Sequence, residues 1–469
     1  MIITMKFGGT SVGSVEAIKQ TCDIILRETK NGHKVVTVVS AMSGVTNALI
    51  KAARDSELGD LGSYKRVRYE LEQKHVDTAN ALVQTQNRRE RLIDDLRTLL
   101  EDFEQLCHSI SIMREVTPRG MDVVSSLGER LSVRLVAAYL QDIGVESEAI
   151  DASFLIVTND RFQNATPDMD ATREKVQAKL LPLLERGTLP IITGFIGATP
   201  NGTITTLGRG GSDYSGGIIA AAIPSDELWI LSDVDGVMTT DPRVSDKART
   251  ISVLGYGEVS EMAYFGAKVL HPRTILPVMD IKMPIRVLNT FNPEHPGTLL
   301  RPEPEIVPGT IKAITTVTDV HLLTVKGRGM VGVPGIAGRA FSAVARAGAS
   351  MLMFAQSSSE QSFCFVVPDR MSQSVKNAID SELELERNRR DVDEVDIQPD
   401  VVIVTCVGAG MAGTPGVAAR IFGALGEERI NVMSIAQGAS EYSISMVVEG
   451  KDAHRAVQAL HSLVQNGHH

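Results

Sequence analysis

Runs of apolar and β-branched residues without polar alternation recur through the first 300 residues, separated by longer segments with helical periodicity. Val35–Val39 is one such run, and its lack of alternation is typical of a strand buried on both faces, as in parallel sheets. Segments 64–84, 88–112 and 121–142 instead carry apolar residues at i, i+3 and i+4, which predicts amphipathic helices. The order of these elements predicts an α/β fold, with a mostly parallel sheet sandwiched by helices.

The first predicted strand covers residues 2–7, with Lys6 near its end, and it breaks into Gly8 and Gly9 before a helix that begins at Ser14. A strand, a glycine turn and a helix N-terminus bring unpaired N–H groups together and favour a bound anion. The ammonium group of Lys6 could reach the same anion. Taken alone, these residues favour an ordinary βα turn with a solvent-facing lysine.

Polar residues mark further strand ends and helix starts. Ser40 ends the second strand and Thr46 opens the next helix, where hydroxyl residues are more often caps than ligands. Glu129 follows a glycine inside the third helical segment, and a glycine there permits close approach of another element. By itself, Glu129 is more typical of an exposed helix carboxylate.

A glycine-rich segment around Arg209 is the strongest single indication of a binding site. Glycines at positions 208, 210 and 211 flank this arginine, and Ser212 and Asp213 follow at the start of an apolar helix. Glycines here cost stability but allow the backbone to approach a ligand. Arginine in such a place suits a two-pronged contact with a carboxylate or phosphate.

Later strand and helix junctions carry charged residues as well. Ser232 and Asp233 follow the strand 228–231, Arg243 follows an Asp-Pro pair, and Lys268 lies ahead of a proline-bounded helix. Ligands in open α/β sheets bind at the carboxyl ends of strands. Asp-Gly and Asp-Pro pairs are also plain turn signals, so part of this pattern is turn chemistry.

An internal repeat follows the predicted proline-rich linker 301–310. Residues 323–367 align without gaps with residues 404–448, and 18 of the 45 positions are identical, which indicates a duplicated module. The pattern of each copy predicts a strand, a glycine loop, a helix, two strands joined by a tight turn, and a second helix. This order predicts two α+β modules.

The residues around the two copies predict that one module is inserted in the other. A strand over 311–317 precedes the first copy without a partner there, whereas the second copy lacks a last strand. We therefore expect one module at 318–399 and another made of 311–317 and 400–466. The α/β domain would cover residues 1–300.

Both copies contain the dinucleotide-binding pattern G-x-G-x-x-G, at Gly327–Gly332 and Gly408–Gly413. Such a site needs an acidic residue for the ribose about 20 residues beyond the first glycine, and residues 350–353 and 431–434 contain none. The modules are also too short for a dinucleotide-binding domain. The loops better suit backbone binding of a small amphiphile such as an amino acid.

Composition and charge exclude several classes of function. A length of 469 residues suggests about three domains, and the net charge of −10 with 4% aromatic residues argues against nucleic-acid and anionic-membrane partners. No apolar run approaches the roughly 18 residues of a membrane span, and no secretory pattern is seen. The four scattered cysteines indicate reduced thiols in the cytoplasm and no zinc or other resident metal site.

Four motifs taken together resemble those of the aspartate kinases, which join an amino-acid-kinase domain to two C-terminal ACT domains. The motifs are Lys6–Val12, Ser126–Arg130, Gly208–Asp213 and Gly266–Pro272. The resemblance implies the amino-acid-kinase fold followed by two ferredoxin-like ACT modules. It also implies transfer of the γ-phosphoryl group of ATP, with Mg²⁺, to the β-carboxylate of L-aspartate, the first step toward lysine, threonine and methionine.

The resemblance implies roles for individual residues too. Lys6 would stabilise the γ-phosphoryl oxygens, and Asp213 would orient Lys6 or the substrate ammonium. Arg209 would bind a substrate carboxylate and Glu129 the α-ammonium, with hydroxyl contacts nearby. The substrate-binding set is Ser40, Thr46, Glu129, Arg209 and Ser212. The nucleotide-binding set is Gly8 and Gly9, as backbone donors, with Ser232, Asp233, Arg243 and Lys268.

The paired ACT modules imply feedback inhibition by lysine, threonine or both, and a homodimer or larger even-numbered assembly. The expected effector contacts are Met330, Val331, Gly332, Val333, Gln356 and Ser357. Two alternatives remain: a kinase for another acid such as N-acetylglutamate, which normally lacks the ACT pair, and a non-catalytic amino-acid sensor. Because the chain ends soon after the second module, we expect no fused homoserine dehydrogenase.

Overall fold

A computed structural model describes residues 1–266, 270 and 272–464. The α-helices in this part of the chain are α1 (Val15–Lys30), α2 (Val45–Glu57), α3 (Leu61–Leu82), α4 (Gln86–Met113), α5 (Pro118–Asp142), α6 (Met169–Glu185), α7 (Gly211–Ala222), α8 (Tyr256–Tyr264), α9 (Pro272–Met279), α10 (Ile336–Arg346), α11 (Ser372–Glu382), α12 (Glu384–Asn388), α13 (Val417–Glu427) and α14 (Ala453–His461). None of these described helices combines the length and the apolar composition that crossing a membrane requires.

The β-strands of the same described residues are β1 (Ile2–Phe7), β2 (Lys34–Val39), β3 (Ser147–Ile150), β4 (Leu189–Thr193), β5 (Ile196–Ala198), β6 (Ile204–Thr206), β7 (Glu227–Ser232), β8 (Val253–Gly255), β9 (Ile285–Asn289), β10 (Thr298–Arg301), β11 (Ala313–Lys326), β12 (Met353–Gln356), β13 (Ser362–Pro368), β14 (Glu394–Val407), β15 (Ser434–Gln437) and β16 (Ser443–Glu449).

The chain forms two compact units. The first comprises Met1–Val237, Thr250–Tyr256 and the described part of 269–303. The second comprises Met238–Arg249 and the described parts of 257–268 and 304–469. Two short segments before residue 300 thus belong with the repeats, and the domain boundaries drawn from the sequence stay a prediction.

The first unit is built on an eight-stranded sheet in the order β3-β4-β2-β1-β7-β9-β10-β8. Neighbouring strands are parallel except β9 and β10, which are antiparallel. The predicted mostly parallel sheet is therefore confirmed. β1 lies between β2 and β7, so its carboxyl end reaches the middle of the sheet.

Alternate residues of β2 face opposite helical layers. Val35 and Val39 join the apolar core formed with α1–α5, and Val36 and Val38 join the core formed with α6 and α7. Burial on both faces explains why β2 shows no alternation of apolar and charged residues in the sequence. The three predicted amphipathic helices are α3, α4 and α5.

The second unit is built on a six-stranded sheet in the order β12-β13-β11-β14-β16-β15. β11 and β14 are long strands that each serve both repeats. Residues 320–326 of β11 pair with 362–368 of the first repeat, whereas residues 313–317 pair with 403–407 of the second. The strand before the first repeat thus joins the sheet of the second repeat, which is the pairing expected from the sequence.

Candidate active site

β1 and α7 bring a lysine and an aspartate together in the first unit. Lys6 is 7% exposed, and its ammonium group forms an ion pair with the carboxylate of Asp213 in the first turn of α7. Gly216 permits this approach, because a Cβ there would lie 3.0 Å from the Cβ of Lys6. The prediction that this lysine faces solvent, which the turn residues alone favoured, is therefore wrong.

A cavity of about 590 Å³ lies beside this ion pair. It brings together every residue that the sequence analysis assigned to catalysis or substrate binding. These residues are Lys6, Ser40, Thr46, Glu129, Arg209, Ser212 and Asp213. Motifs that are far apart in the sequence thus line one cavity, although their individual roles stay predictions.

Glu129 lies in the wall of this cavity and is 3% exposed. The prediction of an exposed carboxylate, which its helix alone favoured, is therefore wrong. Its Oε1 lies 3.5 Å from the hydroxyl of Ser212, and its Oε2 has no hydrogen-bond partner among the described residues. Burial raises the pKa of Glu129 to about 8. A buried carboxylate with an unused oxygen is well suited to bind a cationic group.

Gly128 allows α5 to lie against the segment that follows β2. A Cβ at this position would lie 2.8 Å from the Cβ of Ala41 and 3.3 Å from the hydroxyl of Thr46. The close approach that the glycine suggests in the sequence is therefore confirmed.

We expect Gly128→Ala to lower the free energy of unfolding by about 1–3 kcal/mol through overpacking, despite the better helix propensity of alanine. Trp229 is the single tryptophan and lies half-buried in the first unit, so its fluorescence during urea unfolding measures this change. Gly120→Ala in the same helix is the matched control, because a Cβ there would meet no atom closer than 3.3 Å, whereas a Cβ at Gly128 would lie 2.8 Å from the Cβ of Ala41. An equal loss of stability in both variants would contradict the packing argument.

The turn before α7 presents Arg209 at the rim of the cavity. Gly208 and Gly210 on either side have φ of +79° and +69°, a region that favours glycine. A Cβ at Gly211 would lie 2.6 Å from the ring of Phe195. The Arg209 side chain is exposed and forms no ion pair with another described residue, so its guanidinium group is available to a ligand.

Other lining residues were not predicted from the sequence. They are Asn47, Ile50, Arg54, Met121, Asp122, Ser125, Gln163, Phe195 and Thr206. Asp122, Ser125 and Glu129 are spaced i, i+3 and i+7 on α5, which places them on one helix face. This spacing could have indicated Asp122, whereas the φ of +66° at Phe195 has no signature in the sequence.

The glycine turn after β1 requires one correction. The amide of Gly8 donates to the carbonyl oxygen of Leu231 at 2.9 Å, so it is not the free phosphate donor that we expected. Gly9 instead allows close contact between two loops, because a Cβ there would lie 2.9 Å from the carbonyl oxygen of Ala41. The predicted helix start is confirmed, since Ser14 caps α1 by accepting from the amide of Ala17.

The remaining nucleotide-binding candidates are distributed over both units. Ser232 ends β7, beside β1, and Asp233 follows it as an exposed residue. Arg243 belongs to the second unit, where its Nη2 lies 2.6 Å from an oxygen of Asp241. Lys268 lies outside the described residues.

The first repeat contains a separate cavity of about 340 Å³ at its glycine loop. Of the six expected effector contacts, Met330, Gly332, Val333 and Gln356 line it, whereas Val331 and Ser357 do not. Glu360, which was not predicted, also lines this cavity. Its carboxylate accepts a hydrogen bond from the amide of Gly332 at 3.1 Å.

Comparison with known proteins identifies the family. A model of the amino acid kinase family matches residues 1–289, and a model of the ACT domain matches 323–383 and 404–463. Lysine-sensitive aspartokinase 3 of Escherichia coli K12 is 32% identical over 472 residues, which cover 98% of each chain. The chain belongs to the aspartokinase family.

Two further aspartokinase relatives extend this comparison. A crystal structure of E. coli aspartokinase III in complex with aspartate and ADP superposes with a TM-score of 0.79 at 31% identity, covering 99% of this chain and all of that one. A chloroplastic bifunctional aspartokinase/homoserine dehydrogenase 1 of Zea mays is 37% identical over 461 residues, or 97% of this chain. This chain spans about half the length of that relative.

Proposed function

We propose that this aspartokinase-family chain phosphorylates L-aspartate with ATP, giving 4-phospho-L-aspartate and ADP as the first step toward lysine, threonine and methionine. One observation carries the proposal: the same cavity is lined by Lys6, Asp213, Glu129 and Arg209. The related E. coli enzyme bound to aspartate and ADP supports the same pair of ligands.

The chemistry needs positioning and charge neutralisation more than proton transfer. An oxygen of the β-carboxylate forms a bond to the γ-phosphorus while the bond to the bridging oxygen of ADP breaks. The carboxylate is already ionised at neutral pH, so no general base is required. The ammonium group of Lys6 neutralises charge on the transferred group, and Asp213 holds this ammonium in place through their ion pair.

The other charged lining residues match the remaining groups of aspartate. The free guanidinium of Arg209 binds the α-carboxylate through paired hydrogen bonds. Glu129 receives the α-ammonium at its unpaired oxygen. Ser40, Thr46 and Ser212 supply hydroxyl contacts from the same cavity.

The nucleotide contacts in this proposal are Gly9, Ser232 and Asp233, all in the first unit, while Arg243 and Lys268 stay predictions from the resemblance. Mg²⁺ enters as part of the ATP substrate, held largely by phosphate oxygens and water. Among the residues that the structure describes, no group of three or more His, Cys, Asp or Glu side chains is arranged to hold a metal ion.

Regulation completes the proposal. An end-product amino acid, lysine or threonine, binds the cavity at the glycine loop of the first repeat, and the ACT modules pair in a homodimer or larger even-numbered assembly in the cytoplasm. The 340 Å³ cavity and the lysine sensitivity of the E. coli relative support an amino-acid effector.

A coupled assay of ADP formation tests the proposed function directly. We expect turnover with L-aspartate, much slower turnover with L-glutamate or N-acetyl-L-glutamate, and inhibition by lysine or threonine. If only N-acetyl-L-glutamate is turned over, it would replace L-aspartate as the proposed substrate. The absence of turnover with every acid would instead favour a non-catalytic sensor, and indifference to both amino acids would contradict the effector proposal.

We expect kcat/KM for aspartate to rise with pH up to about 8, because burial raises the pKa of Glu129 to about 8. Below that pH the carboxyl group is protonated and neutral, and above it the anion attracts the substrate ammonium. The pH profile of kcat/KM measures this, since it reports groups of the free enzyme. Glu129→Gln should remove the rise of kcat/KM with pH. An unchanged rise in this variant would mean that another group causes it.

A further inference from the structure

Asp122 is a fully buried carboxylate in the wall of the substrate cavity. It lies on α5, two turns before Glu129. Its Oδ1 accepts from the hydroxyl of Thr206 at 2.7 Å, and its Oδ2 accepts from the amide of the same residue at 3.0 Å. Both oxygens also lie 3.0 Å from the amide of Gln163.

These hydrogen bonds join two separate segments. Gln163 has a φ of +64°, an unfavourable conformation for a non-glycine residue, and its amide is directed at Asp122. Thr206 ends β6, and its carbonyl oxygen accepts from the amide of Ala165 at 3.0 Å. Asp122 therefore lies at the point where the 163–165 segment and the end of β6 are held together.

Arg209 follows Thr206 by three residues, after a glycine that is packed against the same segment. A Cβ at Gly208 would lie 2.9 Å from the carbonyl oxygen of Gln163 and 3.0 Å from the side-chain oxygen of Asn164. The start of the arginine turn is thus anchored through Asp122, and its other end is anchored by α7. The three donors occupy the oxygens of Asp122, so this carboxylate is suited to hold the turn rather than to contact substrate.

We propose that Asp122 is a positioning residue for Arg209 and thereby sets the affinity for the dicarboxylate substrate. This inference rests on the proposed function. Without the carboxylate, Thr206 and Gln163 lose their common acceptor, and the turn samples positions in which the guanidinium group does not meet the substrate. Apparent affinity falls with the fraction of molecules in the competent arrangement.

Steady-state kinetics of the full chain tests the proposal with Asp122→Ala and the isosteric Asp122→Asn. Asp102→Ala is the control, because Asp102 is an exposed residue of α4. We expect Asp122→Ala to raise KM for aspartate about 5- to 30-fold, because the turn before Arg209 is then in the competent arrangement for only part of the time. KM for ATP and kcat should stay within about twofold of wild type. Asp122→Asn keeps one acceptor oxygen and should be intermediate, and the control should match wild type.

Combination with Arg209→Ala separates positioning from a general structural role. If Asp122 acts through Arg209, adding Asp122→Ala to Arg209→Ala changes KM for aspartate less than twofold. Full additivity, or equal increases in KM for both substrates, would overturn the proposal. If Asp122→Ala does not fold, as urea unfolding would show, Asp122→Asn and Thr206→Val provide the same comparison.

The same experiment distinguishes this inference from the proposed function. If wild type shows no aspartate-dependent turnover, the proposed function fails. If wild type turns over and Asp122→Ala has an unchanged KM for aspartate, only the positioning role fails.

Discussion

Lys6→Ala should lower kcat by about 100- to 1,000-fold, the usual loss when one preorganised group that stabilises developing charge is removed. Lys6 is buried and ion-paired with Asp213 beside the substrate cavity, so its ammonium is held in place before the reaction. KM for aspartate should change much less, because Arg209 and Glu129 make the expected substrate contacts. Rapid-quench or coupled assays at saturating ATP and aspartate measure the change.

Lys51→Ala is the matched control for this experiment. Lys51 also pairs with an aspartate, Asp55, at 2.6 Å, but its side chain is 71% exposed and does not line the cavity. A thermal melt of Lys6→Ala is needed as well, since Asp213 loses its partner. Near-normal turnover in a folded Lys6→Ala protein would refute the role of Lys6.

Arg209→Ala should raise KM for aspartate about 10- to 100-fold, because paired hydrogen bonds between charged groups contribute about 1.5–3 kcal/mol. KM for ATP and kcat should change only a few-fold. The arginine is exposed and has no competing ion pair in the described structure, so its removal leaves no buried charge behind. Initial rates over a matrix of both substrate concentrations separate these constants.

Two further variants make the result specific. Arg209→Lys keeps the charge but loses the planar fork, and should give an intermediate KM. Arg91→Ala removes an exposed arginine of α4 and should leave both KM values unchanged. A large fall in kcat with unchanged KM in Arg209→Ala would instead place this arginine on the transferred phosphoryl group.

Much of the architecture follows from local patterns in the sequence. Runs of apolar and β-branched residues such as Val35–Val39 indicated a strand buried on both faces, and the helical periodicity located α3, α4 and α5. The gap-free repeat indicated the duplicated module. The short strands β8 and β10 were missed because three or four residues carry little periodicity.

The candidate site was only partly predictable for a different reason. Arg209 could be found because flanking glycines mark an unusual backbone within a few residues. Glu129 and Asp122 could not be described correctly, because their burial depends on segments far away in the chain. Gly8 was misjudged for the same reason, since its amide is used by Leu231 on another strand.

The sequence by itself determined the fold class, the repeat, the family resemblance and the residues of the main motifs, because these depend on spacing along the chain. Only the tertiary structure decided that Lys6 is buried against Asp213, that the pKa of Glu129 is raised to about 8, and that Asp122 accepts hydrogen bonds from Gln163 and Thr206. Desolvation and hydrogen-bond partners are properties of a packed environment, and that environment is assembled from residues that no local pattern connects.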